Sequence, residues 1–148
     1  MQSFAEQIFT PRERMCLIYA RYVVESLPEP EGEPLRCHEV ARVVVWCLDP
    51  KGHVLTPIDG LYGEVEHSWI LIRGSQPVRV LDPYVVGRLP QVQLIDPFVP
   101  GAERFNWYRA GRPRTDIDWA LVRELVWYIH AGGALDRWDM DALSREQP

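Results

Sequence analysis

The stretch from Leu27 to Pro34, Leu-Pro-Glu-Pro-Glu-Gly-Glu-Pro, constrains this chain more than any other. Its prolines lack the N–H a helix or inner strand needs, so it reads as a stiff, exposed connection. It therefore separates two helical patterns that cannot merge. In the first, Thr10 is a capping residue, Pro11 suits the first helical position and Glu13 completes a capping box. Met15, Ile18, Tyr19, Tyr22 and Val23 follow at helical spacing and are expected to face the core. The second pattern runs from about Arg36 to Leu48, with Val40, Val43, Val44 and Cys47 on one side, and ends at Asp49-Pro50-Lys51-Gly52. The run Val43-Val44-Val45 also admits a short strand.

Beyond Gly52 the period changes. His53 to Pro57, Ser68 to Ile72 and Val78 to Leu81 read as strands, divided by turn residues at Asp59-Gly60, Gly63 and Arg73-Gly74-Ser75. Val92 to Ile95 and Arg104 to Ala110 are weaker strand candidates. A last helix is expected from about Thr115, with Asp118 completing a partial cap. Its stripe is Ile117, Leu121, Val122, Leu125, Val126 and Ile129, and Gly132-Gly133 ends it. Two helices, a run of strands and a final helix read as α+β, with N-terminal helices packed on an antiparallel sheet. The 148 residues suit one domain, 1–148, large enough for a real core.

Three residues could do chemistry together. Cys37 stands at a predicted helix start, where unpaired N–H groups and the helix dipole favour a thiolate. His67 opens a strand in Glu66-His67-Ser68-Trp69, and Asp82 closes the next in Val80-Leu81-Asp82-Pro83-Tyr84. A hairpin between those strands sets Asp82 beside His67. Asp82 can then hold one imidazole nitrogen while the other faces the thiol. Thiolate, imidazole and carboxylate are the groups that attack, move protons and fix a tautomer.

These residues resemble the transglutaminase-like branch of the papain-like cysteine enzymes. The matching features are Cys37 at a helix start, His67-Ser68-Trp69 on a strand and Leu81-Asp82-Pro83 on its neighbour. The resemblance covers about a third of the chain. It implies a papain-like core and a Cys37–His67–Asp82 triad. The implied activity is acyl transfer on the amide of a protein or peptide substrate, as peptidase, amidase, deamidase or transamidase. Leu35-Arg36 stand where that family usually has Gly or Trp before the nucleophile. The alternative is therefore a catalytically inactive protein-binding or scaffold module.

The remaining candidates are blander. Cys16 and Cys47 lie in apolar helical patterns and are expected to be inert packing. On a helix His38 points about 100° away from Cys37, so it is expected to face substrate or solvent. The six tryptophans, Trp69, Trp107, Trp119 and Trp127 among them, are expected in the core or on cleft walls, and Trp69 is also the other substrate-binding candidate. Glu39 and Glu66 read as solvated acids, and Asp96-Pro97 repeats the turn chemistry of Asp82-Pro83. For the oxyanion the Cys37 N–H is the natural donor, with Gln7, Tyr19 and Tyr22 as candidates for a second. No cofactor is implied. Zinc is disfavoured, since the chain lacks Cys-x-x-Cys and His-x-x-x-His.

Bulk properties exclude other classes. A net charge of -5 gives no footprint for nucleic acid. Lys51 is the only lysine among 16 basic residues, a skew consistent with a GC-rich bacterial genome rather than a basic surface. No segment approaches the roughly 18 apolar residues of a membrane span. An acidic residue early in Met-Gln-Ser-Phe-Ala-Glu argues against a secretory signal, and three irregular cysteines do not make a disulfide framework. The expected compartment is the cytoplasm, although export by a route without a signal would look the same.

Overall fold

A computed structural model describes residues 9–28, 32–74, 79–84, 91–95 and 107–138. Helices α1 (Pro11–Glu25) and α2 (Cys37–Leu48) come first. Strands β1 (Leu55–Tyr62), β2 (Val65–Ile72), β3 (Arg79–Asp82), β4 (Gln93–Ile95) and β5 (Tyr108–Ala110) follow, then α3 (Trp119–Ala131). Among the described residues the strands form one antiparallel sheet in the order β4-β3-β2-β1-β5. The class is α+β, with helices packed on a five-stranded antiparallel sheet. Expectations for Gln7, Ser75, Val78, Asp96-Pro97, residues 104–106 and the tail beyond Trp138 lie outside the described residues.

The capping box forms as read: Glu13 N–H donates to Thr10 Oγ1 at 3.1 Å, and Thr10 N–H donates to Glu13 Oε1 at 2.8 Å. The buried face of α1 is the expected one only in part: Val23 is buried as read and Tyr19 packs against the core. Cys16, Ala20, Val23 and Val24 are buried, whereas Ile18 and Tyr22 are exposed. These small and β-branched side chains form a stripe at helical spacing that lets α1 pack against α2. Glu13 is buried too, paired with Arg79 of β3 at 3.4 Å.

Helix α2 is the centre of the fold. It packs on β1 and β2 and against both α1 and α3, and every residue but Trp46 is buried. A helix surrounded in this way is buried on every side, and from Val43 onward it is apolar all round, so Val43-Val44-Val45 suits a buried helix. The β-branched penalty is only tenths of a kcal/mol per residue, against roughly 1.5 kcal/mol or more for burying each valine.

Asp59-Gly60 is not a turn. It lies inside β1, with Asp59 opposite Ser68 and Gly60 opposite His67. Asp59 is buried because it has charged and polar partners there. Gly60 lets β5 approach so closely that a Cβ would strike the Arg109 carbonyl. The real reversal is Gly63-Glu64. Gly63 takes a positive φ of 61° and, among the described residues, no non-glycine does, which matches a II′ hairpin with glycine first. That turn sets the register that brings His67 to its place. The last helix begins later than expected, because Asp118 itself is the cap and accepts from Leu121 N–H at 3.0 Å. Its stripe is as read, with Ile117, Val122, Leu125 and Ile129 buried.

Candidate active site

His67 and Asp82 meet across β2 and β3. Ile70 pairs with Leu81, so Asp82 lies on the strand face that carries Trp69 and His67. His67 Nε2 and Asp82 Oδ2 are 2.8 Å apart. The same oxygen accepts from Tyr108 Oη at 2.6 Å, and Oδ1 accepts from the Tyr84 N–H at 3.0 Å. Both His67 and Asp82 are 1% exposed. Tyr62, Trp69 and Tyr108 surround the imidazole, with ring centres 5.9, 6.1 and 6.2 Å from it. Burial works against a charged His67, but its hydrogen bond to Asp82, joined by Cys37, pushes the pKa up to about 9.

Cys37 is the first residue of α2. The preceding Arg36 holds the N-cap position without capping, since a guanidinium has no acceptor. Its charge goes instead to Glu39 at 2.6 Å and Asp116 at 3.1 Å. The first-turn N–H groups beside the sulfur thus have no side-chain cap. Burial pushes the Cys37 thiol up, yet hydrogen bonding and charge from His38 and His67 bring it down to about 6. With Nε2 bonded to Asp82, Nδ1 is the His67 nitrogen left for the thiol. Cys37, His67 and Asp82 therefore belong to one cluster.

Several expectations need correction. His38 does not face away: it is buried, with Nδ1 at 3.6 Å from Cys37 Sγ and 2.7 Å from Ser68 Oγ. In the first turn of a helix laid on β2, the Ser68 hydroxyl draws the ring inward. Glu39 is not solvated. It is buried, gripped by Arg36 at both carboxylate oxygens, and accepts from the Asp118 N–H at 3.3 Å. Glu66 is exposed, as read. Trp69 is in the core as read, 2% exposed and backing the imidazole, so it is too buried to bind substrate directly. Trp107, Trp119 and Trp127 are exposed, so none of the three is core.

Tyr19 and Tyr22 cannot serve an oxyanion at Cys37. Tyr19 packs on Tyr22 and on Trp138, whose indole N–H donates to the Leu48 carbonyl at the far end of α2. That end is about 16 Å of helix away.

The sequence alone did not reveal Asp59, Ser68, Arg42 or Tyr108. Arg42 forks onto Asp59 at 2.8 and 2.6 Å, and Ser68 Oγ donates to Asp59 at 2.6 Å. Ser68 sits inside the His67 motif, so its position was visible but its partner was not. Cys16 and Cys47 are buried in the core, as read.

No family model, curated protein or solved structure matches this chain. Among the described residues no group of three or more His, Cys, Asp or Glu is placed to hold a metal ion. None of their helices is long and apolar enough to cross a membrane.

Proposed function

We propose that this chain is a cysteine-dependent acyl-transfer enzyme, with a papain-like core of the transglutaminase-like branch. Cys37 is the nucleophile, His67 the acid and base, and Asp82 the residue that orients His67. One observation carries the reading: the helix-start thiol of Cys37 shares a buried cluster with an imidazole held at 2.8 Å by a buried carboxylate, which draws the thiol down to about 6 and the imidazole up to about 9. At neutral pH that combination is a thiolate–imidazolium pair.

The steps follow from the proton positions. Cys37 thiolate attacks the amide carbonyl, forming a C–S bond and an oxyanion within reach of the first-turn N–H groups of α2. The His67 imidazolium gives its proton to the amide nitrogen as the C–N bond breaks. An amine departs and a thioester remains. Neutral His67 then takes a proton from water or from a second amine as it attacks the thioester. The C–S bond breaks, and the thiolate and imidazolium return. Water as acceptor gives peptidase, amidase or deamidase activity; an amine gives transamidation. Protein or peptide amides are the substrate class.

A second reading, an inactive protein-binding or scaffold module, is favoured by one fact: Cys37 is only 9% exposed. An activated ester such as p-nitrophenyl acetate separates the two. The enzyme reading expects a burst of nitrophenolate and a stoichiometric thioester on the Cys37 peptide, both absent from Cys37→Ser. A peptide library scored for ammonia, new amino termini or amine incorporation then identifies the acceptor. A folded protein that never acylates Cys37 would leave only the binding module.

A further inference from the structure

A second imidazole lies against Cys37, and it is held differently from the first. Asp59 is deprotonated at neutral pH. Burial opposes its charge, but Arg42, Ser68 and the Arg114 N–H take its pKa down to about 2. An ionised carboxylate only accepts. Ser68 therefore commits its one hydroxyl proton to Asp59, 2.6 Å away, and must accept at its 2.7 Å contact with His38 Nδ1. His38 Nδ1 consequently carries a hydrogen. The same nitrogen is 3.6 Å from Cys37 Sγ, so that hydrogen is shared between the serine oxygen and the sulfur. Serine is the middle member of this chain, fully buried, with its proton directed at Asp59; it is not placed as a nucleophile.

We infer that His38 is a fixed hydrogen-bond donor to the Cys37 thiolate, locked in its Nδ1–H form by Ser68, Asp59 and Arg42. It carries no proton through the reaction. Proton transfer is left to His67, whose only carboxylate partner in the cluster is Asp82. The inference rests on the reading of Cys37 as nucleophile.

The charged and titratable groups around the sulfur are accounted for element by element. From α2 come His38 and, turned toward Glu39 and Asp116, Arg36. From β2 comes His67, with Asp82 of β3 behind it. From β1 comes Asp59, acting through Ser68 and neutralised by Arg42. His38 thus reaches the thiol through an Nδ1–H held in place by Ser68, and His67 through a proton it can give up.

The test reads the thiolate directly in the full chain, without substrate. Iodoacetamide labelling of Cys37 is followed by peptide mass spectrometry across pH, alongside the ultraviolet absorbance of the thiolate. The wild-type midpoint is expected near pH 6. His38→Ala and His38→Leu should raise it by about one to two pH units, the value of a hydrogen bond to a charged group. His38→Asn keeps an N–H near the Nδ1 position without titrating, and should restore most of the shift. A purely structural role would not distinguish Asn from Ala. An unmoved midpoint in folded His38→Ala, or equal displacement in the Ala and Asn variants, overturns the inference while the function proposed above stands. A wild-type midpoint at the ordinary thiol value overturns both. Nitrogen NMR of wild-type His38 needs no variant to fold: a protonated Nδ1 is expected, and a bare Nδ1 overturns the inference.

Discussion

Cys37 and Cys47 belong to the same helix and are both buried, yet their thiols move in opposite directions. Cys47 is pushed up to about 12 by burial, with no other cause acting on it. Cys37 carries a burial penalty too, and still falls to about 6. The difference lies in what reaches the sulfur. Cys47 is in the last turn among core side chains, whereas Cys37 is in the first, beside uncapped N–H groups and two imidazoles. Cys16 on α1 repeats the Cys47 outcome: burial drives it to about 12, although the Arg12 charge pulls the other way. Neither burial nor a single nearby cation therefore decides which way a thiol's pKa moves here. Directed hydrogen bonds at a helix start do.

The largest expected effect is chemical selectivity. At neutral pH the thiolate fraction of Cys37 exceeds those of Cys16 and Cys47 by roughly 10⁵, and a labelling advantage of at least about 10³ is expected for Cys37. Time-resolved alkylation with peptide mapping measures it. Comparable labelling of Cys37 and Cys47 would erase the contrast and the enzyme reading with it.

A sharper cut falls on His67. Asp82→Asn removes the carboxylate that holds the imidazole charged and oriented, so acyl-transfer turnover should drop by about 10³ to 10⁴. The surviving activity should also change its pH profile. In wild type the alkaline limb reflects loss of the His67 proton near pH 9. In Asp82→Asn that limb should move down toward the ordinary histidine value of 6.5. Loss of turnover with the limb unmoved would mean Asp82 only packs.

This same hairpin was the most legible part of the site. His67 and Asp82 lie on neighbouring strands joined in sequence, so local turn chemistry and a period of two bring them together. The Thr10 cap and the Cys37 helix start were legible for similar local reasons. The chain from Arg42 through Asp59 and Ser68 to His38 was not. It joins α2, β1 and β2, and Asp59-Gly60 carries one of the strongest local turn signals. Tertiary pairing of a buried aspartate overrode that signal, and no single-strand pattern announces such a pairing. The α1 face was legible only in part, for a different reason. Ile18 and Tyr22 are larger and more apolar than Ala20, so periodicity favoured them, while close packing against α2 selected the smaller residues. The papain-like core is a proposal for the same reason. It rests on short motifs around Cys37, His67 and Asp82, beyond the α+β class that the helices and the antiparallel sheet define.

The smallest expected effect tests the ion pair through stability. In wild type, between about pH 6.5 and about 9, the unfolded chain has a neutral imidazole and a protonated thiol. The folded chain has an imidazolium and a thiolate. Each state binds one proton, so folding takes up none and this pair contributes no slope to stability. Cys37→Ala removes the thiol but leaves His67 raised by Asp82. A raised histidine contributes stability that is complete below its unfolded value of 6.5 and is lost as pH climbs through its folded value. Cys37→Ala should therefore lose on the order of 1 kcal/mol relative to wild type over that window. Urea midpoints at a series of pH values measure it. Parallel slopes in the two proteins would mean the native thiol is protonated, and Cys37 would then join Cys16 and Cys47 as packing.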